Sequence, residues 1–134
     1  MTTVTTSAAP ASTEAPPETI YAAIGGRAAV TAAVDGLYGR LLADPELGPL
    51  FPRGAGARHR AYVVTVLGEA LGGPERYRGP DLVAAHRGLG ITNAQFDRTA
   101  AHLDDTLGEL GVPRHLADQI IAIVASLRPA VVTA

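Results

Sequence analysis

Apolar side chains recur every three or four residues along most of the chain, the spacing that predicts α-helices. The first run follows Gly25-Gly26 and stops at Asp44-Pro45. Its apolar positions are Val30, Val34, Leu37, Tyr38, Leu41 and Leu42. Three prolines then interrupt residues 45–52, which indicates single helical turns rather than a strand. No segment alternates with period two, so the sequence predicts an all-α fold.

A second helix is expected from about Ala57 to Leu71, ended by Gly72-Gly73-Pro74. On such a helix His59 shares one face with Val63, Val66 and Ala70, which directs its ring inward.

The rest of the chain, from residue 72 onward, is predicted as a loop and three helices. Residues 72–80 are rich in Gly and Pro and are read as a loop, followed by a brief helix from Asp81 to His86. Thr92 and Gln95 have the spacing of a capping box, which predicts that a helix begins there. Gly111-Val112-Pro113 ends that helix and begins the last one.

The length of 134 residues favours one domain. Residues 1–18 are mostly Thr, Ala, Pro and Ser, a composition that predicts a flexible tail, and residues 19–134 form the expected domain. The tail has neither the basic start nor the apolar run of a signal peptide, so we expect a cytoplasmic protein.

Charge and residue usage exclude several classes of chemistry. A formal net charge of -2 argues against a nucleic-acid partner, and no apolar run is long enough for a membrane span. The absence of Cys excludes thiolate metal sites and thiol nucleophiles, and all 11 basic residues are Arg, which excludes Schiff-base lysines. A metal would need His, carboxylate or Tyr ligands.

The four histidines fall into two pairs. His102 shares a helix face with charged residues and His115 follows Arg114, so both are expected to be structural residues at the surface. His59 and His86 lie among apolar residues on either side of the glycine-rich loop. Since the chain has many Ala and Gly but only four Tyr, two Phe and no Trp, we expect that its side chains alone do not fill the interior. Haem, a flat apolar group ligated by one His, would supply that volume.

Several motifs, in order, resemble those of the group 1 truncated haemoglobins over residues 19–130. They are Gly25-Gly26, VDGLYGRLL around Tyr38, LADPELGPLF ending at Phe51, LGGPERYRG, AAHRGLGIT around His86, and LGELGVP. The resemblance implies a two-over-two helical sandwich around haem b, with His86 as the proximal iron ligand. It also implies that Phe51 stacks on the haem. The other haem-contacting residues that we expect are Tyr62, Val63 and Leu82, with Tyr77 and Arg58, or else Arg60 or Arg87, near the propionates.

The same resemblance places Tyr38 at the distal position, where a buried phenol favours dioxygen over carbon monoxide by donating a hydrogen bond. The alternative is that Tyr38 is only a core residue. His59 stands where many members have Gln or Leu, and its imidazole either donates to the ligand or binds the iron itself. Tyr38 and His59 are therefore the candidate catalytic residues.

Four positions depart from the pattern of particular members. Val63 stands where nitric-oxide dioxygenating members often have Gln, and Leu67 replaces a gating Phe. Tyr62 stands where some cyanobacterial members have a sixth-ligand His. Pro129 stands where those members have the His that bonds covalently to the haem. We therefore expect no covalent link.

The leading hypothesis is a haem protein that binds dioxygen reversibly, also binds nitric oxide and carbon monoxide, and oxidises nitric oxide to nitrate with an unidentified reductant. Such a protein would serve oxygen transport or nitric oxide detoxification, as a monomer or weak dimer. The alternative is a gas sensor, carrier or electron-transfer protein with six-coordinate iron. A third hypothesis is a haem-free helical interaction domain.

Overall fold

The computed structural model describes residues 19–51, 56–74, 76 and 82–134. Over these residues the chain forms α-helices and one 3₁₀ turn, with no strand, which confirms the all-α prediction. The elements are α1 (Ile20–Ile24), α2 (Gly26–Ala43), the 3₁₀ turn (Gly48–Leu50), α3 (Ala57–Ala70), α4 (Leu82–His86), α5 (Asn93–Glu109), α6 (Arg114–Ala125) and α7 (Arg128–Val131). The predicted tail, residues 1–18, lies outside the described residues.

The first helix, α1, is a short element that the apolar pattern did not predict. Thr19 caps it, since the Thr19 hydroxyl oxygen accepts a hydrogen bond from the Ala22 N–H at 3.0 Å. Gly25 then takes a left-handed φ of +120°, which separates α1 from α2. The ring of Tyr21 packs so closely on Gly73 that a Cβ there would lie 2.7 Å from the ring. This contact joins α1 to the segment that follows α3.

The central helix is α2, which packs against α1, α3, α5 and the 3₁₀ turn. Its buried side chains are Val30, Ala33, Val34, Leu37, Tyr38 and Leu41. On the side facing α5, a Cβ at Gly36 would lie 2.7 Å from the Thr106 Cγ2. The two helices therefore approach closely at a glycine. On its other side α5 packs against α6.

Asp44, which ends α2, fixes the following turn to α5. Its buried carboxylate accepts hydrogen bonds from the backbone N–H groups of Glu46 and Leu47, at 2.8 and 3.3 Å. It also accepts from Arg98 Nε at 2.6 Å and lies 2.8 Å from His102 Nε2. These hydrogen bonds, that of Arg98 first, hold the pKa of Asp44 well below its usual range.

The expectation that His102 lies on a solvent-exposed surface is wrong in part. Its side chain is only 25% exposed and contacts the buried Asp44 carboxylate. His102, on the charged face of α5, thus links α5 to the end of α2. His115, in contrast, is exposed in the first turn of α6.

The chain after α4 makes a tight return to α5. Gly88 and Gly90 both have left-handed φ angles, +77° and +71°. The capping box predicted at the start of α5 is present, with Gln95 N–H donating to Thr92 Oγ1 at 3.0 Å. The short helix α7, which the sequence did not predict, packs against α4 and α5.

None of the helices in the described ranges is both long enough and apolar enough to cross a membrane.

Candidate functional site

A cavity of about 450 Å³ lies among α2, α3, α5, α6 and the short helices α4 and α7. This volume is within the range of small-molecule and cofactor sites, roughly 300–1,000 Å³. Its wall is largely apolar and includes Leu37, Leu41, Val66, Leu67, Phe96, Leu103, Val124, Leu127 and Val131. A cavity of this size agrees with the expectation that side chains alone do not fill the interior.

Six residues predicted from the sequence meet at this cavity: Tyr38, Phe51, His59, Tyr62, Val63 and His86. They come from α2, the residue after the 3₁₀ turn, α3 and α4. The assembly depends on the turn that Asp44 anchors, because that turn leads the chain from α2 to Phe51. The two histidines that stood out among apolar residues therefore share one site.

Tyr38 and His59 are joined by a hydrogen bond of 2.8 Å between the Tyr38 hydroxyl and His59 Nε2. Their rings meet edge to face, with centroids 5.4 Å apart. Burial, and next the neighbouring Tyr62, raises the pKa of Tyr38 to about 12, against a smaller opposing effect of Arg60. The Tyr38 phenol therefore stays protonated throughout the physiological pH range.

His59 lines the cavity, but the prediction that it points inward is met only in part, because the residue is exposed. It lies in the first turn of α3, at the accessible edge of the cavity. Burial of the ring lowers the pKa of His59, and the proximity of His86 lowers it further. The imidazole is thus neutral at pH 7, and it carries one N–H donor and one acceptor nitrogen.

Two further aromatic rings surround the Tyr38–His59 pair. The Phe51 ring lies 5.4 Å from the Tyr38 ring and 6.2 Å from the His59 ring, both edge to face. The Tyr62 ring lies 6.0 Å from that of His59, and the Tyr62 hydroxyl oxygen is buried. These contacts restrict the rotamers of the pair, so its hydrogen bond is held in place.

His86 is the last residue of α4, and it lines the cavity together with Ala85 and Leu89. Its imidazole is partly buried. His86 and His59 lie on different helices, His86 on α4 and His59 on α3. The cavity is therefore bordered by one imidazole on α4 and by a hydrogen-bonded Tyr–His pair on α2 and α3.

The arginines predicted near the propionates, Arg58, Arg60 and Arg87, are described and do not line the cavity. Arg58 is exposed in the first turn of α3, and its propionate contact stays a prediction. Tyr77 lies outside the described residues, and of Leu82 only the backbone at the start of α4 is described. Arg60 lies against α2, with its guanidinium carbon 5.7 Å from the Tyr38 ring centroid and a 3.4 Å ion pair to Asp35.

Sequence reasoning missed most of the wall that α5, α6 and α7 contribute. Phe96, Thr99 and Leu103 have the spacing of one helix face, and all three line the cavity. Periodicity identifies a face that avoids water, but it does not say whether a side chain or a ligand covers that face. The apolar pattern did not indicate Val131, because α7 is only four residues long and is too short to show a helical repeat.

Comparisons with known proteins agree with this geometry. The family described as bacterial-like globin matches residues 19–133. A group 1 truncated haemoglobin of Chlamydomonas moewusii is 39% identical over 126 residues, which are 92% of this chain and 73% of that protein. The ferric truncated haemoglobin of Tetrahymena pyriformis superposes with a TM-score of 0.82 at 30% identity, over 87% of this chain and all of the other.

A third similar protein is the 2/2 haemoglobin of Synechococcus sp., solved with covalently attached haem. It has a TM-score of 0.75 and 34% identity, over 82% of this chain and 93% of that one. This chain belongs to the bacterial-like globin family, among the group 1 truncated haemoglobins. The predicted two-over-two helical sandwich is thereby confirmed, and membership implies binding of haem and of diatomic gases.

The residues at the cavity fit a haem group. An apolar wall suits the face of a porphyrin, and a neutral imidazole is a standard axial ligand of haem iron. The Tyr38–His59 pair adds polar groups to the same wall. The donor set therefore matches a haem ligated through one histidine, with hydrogen-bonding groups available to a gas ligand.

Proposed function

We propose that the protein binds haem b through His86, binds dioxygen and other diatomic gases reversibly near Tyr38 and His59, and oxidises nitric oxide to nitrate. The observation that carries the proposal is that His86 and the hydrogen-bonded Tyr38–His59 pair line the same apolar cavity. Haem, when bound, supplies the iron centre for gas binding and for the oxidation. The overall reaction balances with one electron from an external reductant, because NO, O₂ and that electron together give nitrate.

The tautomer of His59 decides what Tyr38 does with its proton. If His59 Nε2 carries the hydrogen, it donates to the Tyr38 oxygen, and the Tyr38 O–H is free to donate to a gas ligand. In the other tautomer the Tyr38 O–H donates to His59 Nε2, so it is not available to donate to a gas ligand. The 2.8 Å distance fits both arrangements. We assign the first to the ligand-bound protein, because a partly negative dioxygen attracts the phenol proton.

The apolar wall strengthens this hydrogen bond. Val63, Leu67 and Phe96 line the cavity without supplying a polar group that competes for the Tyr38 proton. In surroundings of low polarity, the energy of a hydrogen bond to a partly charged acceptor is larger than in water. The residues at positions 63 and 67 therefore help by excluding water, although they lack the Gln and Phe of some relatives.

We expect the haem to be held without a covalent link. The Synechococcus relative carries covalently attached haem, whereas Pro129 of α7 cannot form such a bond to a vinyl group. Extraction with acidified organic solvent should remove all of the haem, and haem remaining on the protein would contradict haem b.

Replacement of His86 tests the proximal assignment. The His86→Gly variant should lose the absorption spectrum of the histidine-ligated haem protein, and added imidazole should restore it by occupying the vacated ligand position. The same substitution at His115, exposed on α6, is the control and should leave the spectrum unchanged. An unaltered spectrum of His86→Gly would contradict the assignment.

Nitrate production tests the catalytic half of the proposal. Oxygenated protein mixed with nitric oxide and a reductant should form nitrate over many turnovers. If the protein forms no more nitrate than His86→Gly does, nitric oxide oxidation is not its activity.

One observation favours a second function, that of a gas sensor, carrier or electron-transfer protein with six-coordinate iron. His59 lines the cavity that His86 lines, and its lowered pKa keeps the imidazole neutral, the form that ligates metals. In that case the reduced, ligand-free protein shows a low-spin spectrum, which His59→Leu converts to high spin. A high-spin spectrum of the unmodified protein would exclude this alternative.

A further inference from the structure

We propose that Thr133 positions His86 by clamping the loop that connects α4 to α5. This inference rests on the proposed function, since it concerns how firmly the proximal histidine is held. Thr133 follows α7 and does not line the cavity. It acts on His86 only through the loop, and it is therefore a positioning residue.

Few hydrogen bonds within the loop between His86 and Thr92 restrain its backbone. Residues 87–90 are all exposed, and Gly88 and Gly90 both adopt left-handed φ angles. One backbone hydrogen bond, from Leu89 N–H to the His86 carbonyl at 3.2 Å, lies within the loop. Two glycines in so short a connection leave the unrestrained backbone many conformations.

Thr133 supplies the missing restraint through its side chain. The Thr133 Oγ1 accepts a hydrogen bond from the Gly90 N–H at 2.9 Å and another from the Ile91 N–H at 3.2 Å. One hydroxyl oxygen thus satisfies two successive backbone donors of the loop. Both hydrogen bonds join residues more than 40 positions apart in the sequence.

The backbone of the same segment completes the clamp. The Thr133 and Ala134 N–H groups both donate to the Ile91 carbonyl, at 2.9 and 3.0 Å. Together with the side chain this makes four hydrogen bonds between Gly90–Ile91 and Thr133–Ala134. Because these groups are exposed to water, we expect the bonds to be effective as a set rather than singly.

The clamp is itself anchored to α5. Arg128, at the start of α7, bonds Asn93 Oδ1 at 3.0 Å and pairs with Asp97. Its guanidinium carbon lies 4.5 Å from the ring centroid of Phe96. The loop after His86 is therefore held between α7 and the first turns of α5, which fixes the position of α4.

Three variants separate this role from a general effect on stability. Thr133→Val keeps the shape of the side chain but removes the acceptor, whereas Thr133→Ser keeps the acceptor. Thr65→Val is the matched control, because the Thr65 hydroxyl donates to the Ala61 carbonyl of its own helix, at 3.0 Å.

Amide hydrogen exchange measured by NMR tests the clamp directly. In Thr133→Val the amide protons of Gly90 and Ile91 should exchange faster, and in Thr133→Ser they should exchange as in the unmodified protein. In Thr65→Val they should also be unchanged. Equal exchange at these two amides in Thr133→Val and in the unmodified protein would overturn the clamp.

The haem-loaded protein tests the consequence for His86. Haem transfer to an excess of an apoglobin acceptor should be roughly threefold to tenfold faster from Thr133→Val than from the Thr65→Val control. The iron–histidine stretching band in the resonance Raman spectrum of the ferrous protein should shift or broaden, and Thr133→Ser should restore both properties. An unchanged band and haem transfer rate would overturn the inference. A failure of the unmodified protein to bind haem at all would instead overturn the proposed function.

Discussion

At the scale of single residues, the hydrogen bond between Tyr38 and His59 is the feature on which we expect ligand discrimination to depend. The pKa values of the two groups shift in opposite directions, because burial raises the pKa of Tyr38 to about 12 and lowers that of His59. Both shifts favour the neutral forms. We therefore expect Tyr38 to donate a hydrogen bond to a ligand while both side chains are uncharged.

Removal of the Tyr38 hydroxyl should speed dioxygen dissociation. A hydrogen bond to a partly charged acceptor is worth about 1.5 kcal/mol or more, so the off-rate of Tyr38→Phe should rise roughly tenfold. Stopped-flow displacement of dioxygen by carbon monoxide measures the rate. Tyr21→Phe is the matched control, because Tyr21 packs on Gly68 and Gly73 and does not line the cavity. An unchanged off-rate in Tyr38→Phe would remove the hydroxyl from ligand binding.

A double-mutant cycle tests whether His59 acts through Tyr38. If His59 orients the phenol, His59→Leu should also raise the off-rate, and adding it to Tyr38→Phe should have little further effect. Effects that add in the double variant would show that His59 contacts the ligand independently.

At the scale of elements, the contact between the end of α2 and helix α5 depends on the Asp44 side chain. The carboxylate is buried and takes part in hydrogen bonds with two backbone N–H groups and the side chains of Arg98 and His102. Removal of its charge leaves these donors with a weaker acceptor. It also loosens the turn that leads to Phe51.

Asp44→Asn should lower the melting temperature by roughly 5–10 °C. Because the folded-state pKa of Asp44 is lowered, its stabilising effect is present above the unfolded value of about 3.8 and is lost as the pH falls below it. The difference in urea midpoint between the two proteins should therefore be largest above about pH 5 and shrink at lower pH.

Asp35→Asn makes the same chemical change in an exposed ion pair with Arg60, where the Asp35 side chain is 56% exposed. Surface pairs contribute little, so its midpoint should stay near that of the unmodified protein. If Asp44→Asn behaves like Asp35→Asn, the carboxylate of Asp44 is not an anchor.

At the scale of the whole molecule, the cavity links folding to cofactor binding. A cavity of about 450 Å³ with a mainly apolar wall lies between the helices. A ligand that binds only the folded chain stabilises it by mass action. The domain should therefore be much less stable without haem.

Calorimetry of the haem-free and haem-loaded proteins tests this link. At haem concentrations about 1,000-fold above Kd the stabilisation is about 4 kcal/mol, which raises the melting temperature of a domain of this size by roughly 15 °C or more. The melting temperature should also rise with haem concentration. Equal melting temperatures for the two forms would mean that haem does not complete the core.

The sequence by itself determined the local features of this protein. The long helices, the capping box at Thr92 and the proline-rich turn follow from groups within a few residues of one another, and the apolar pattern reports them directly. His59 and His86 could be singled out because titratable residues among apolar ones are unusual. The motifs then predicted the residues that meet at the cavity, although α1 and α7 were too short to show a pattern.

Only the tertiary structure decided which distant groups meet. Tyr38 and His59 are 21 residues apart, Thr133 and Gly90 are 43 apart, and Asp44 and His102 are 58 apart. The hydrogen bonds between these groups depend on how the helices pack, and packing depends on side chains along the whole chain. Residue spacing fixes the face of a helix on which a side chain lies, and the partner across from that face is fixed only when the helices come together.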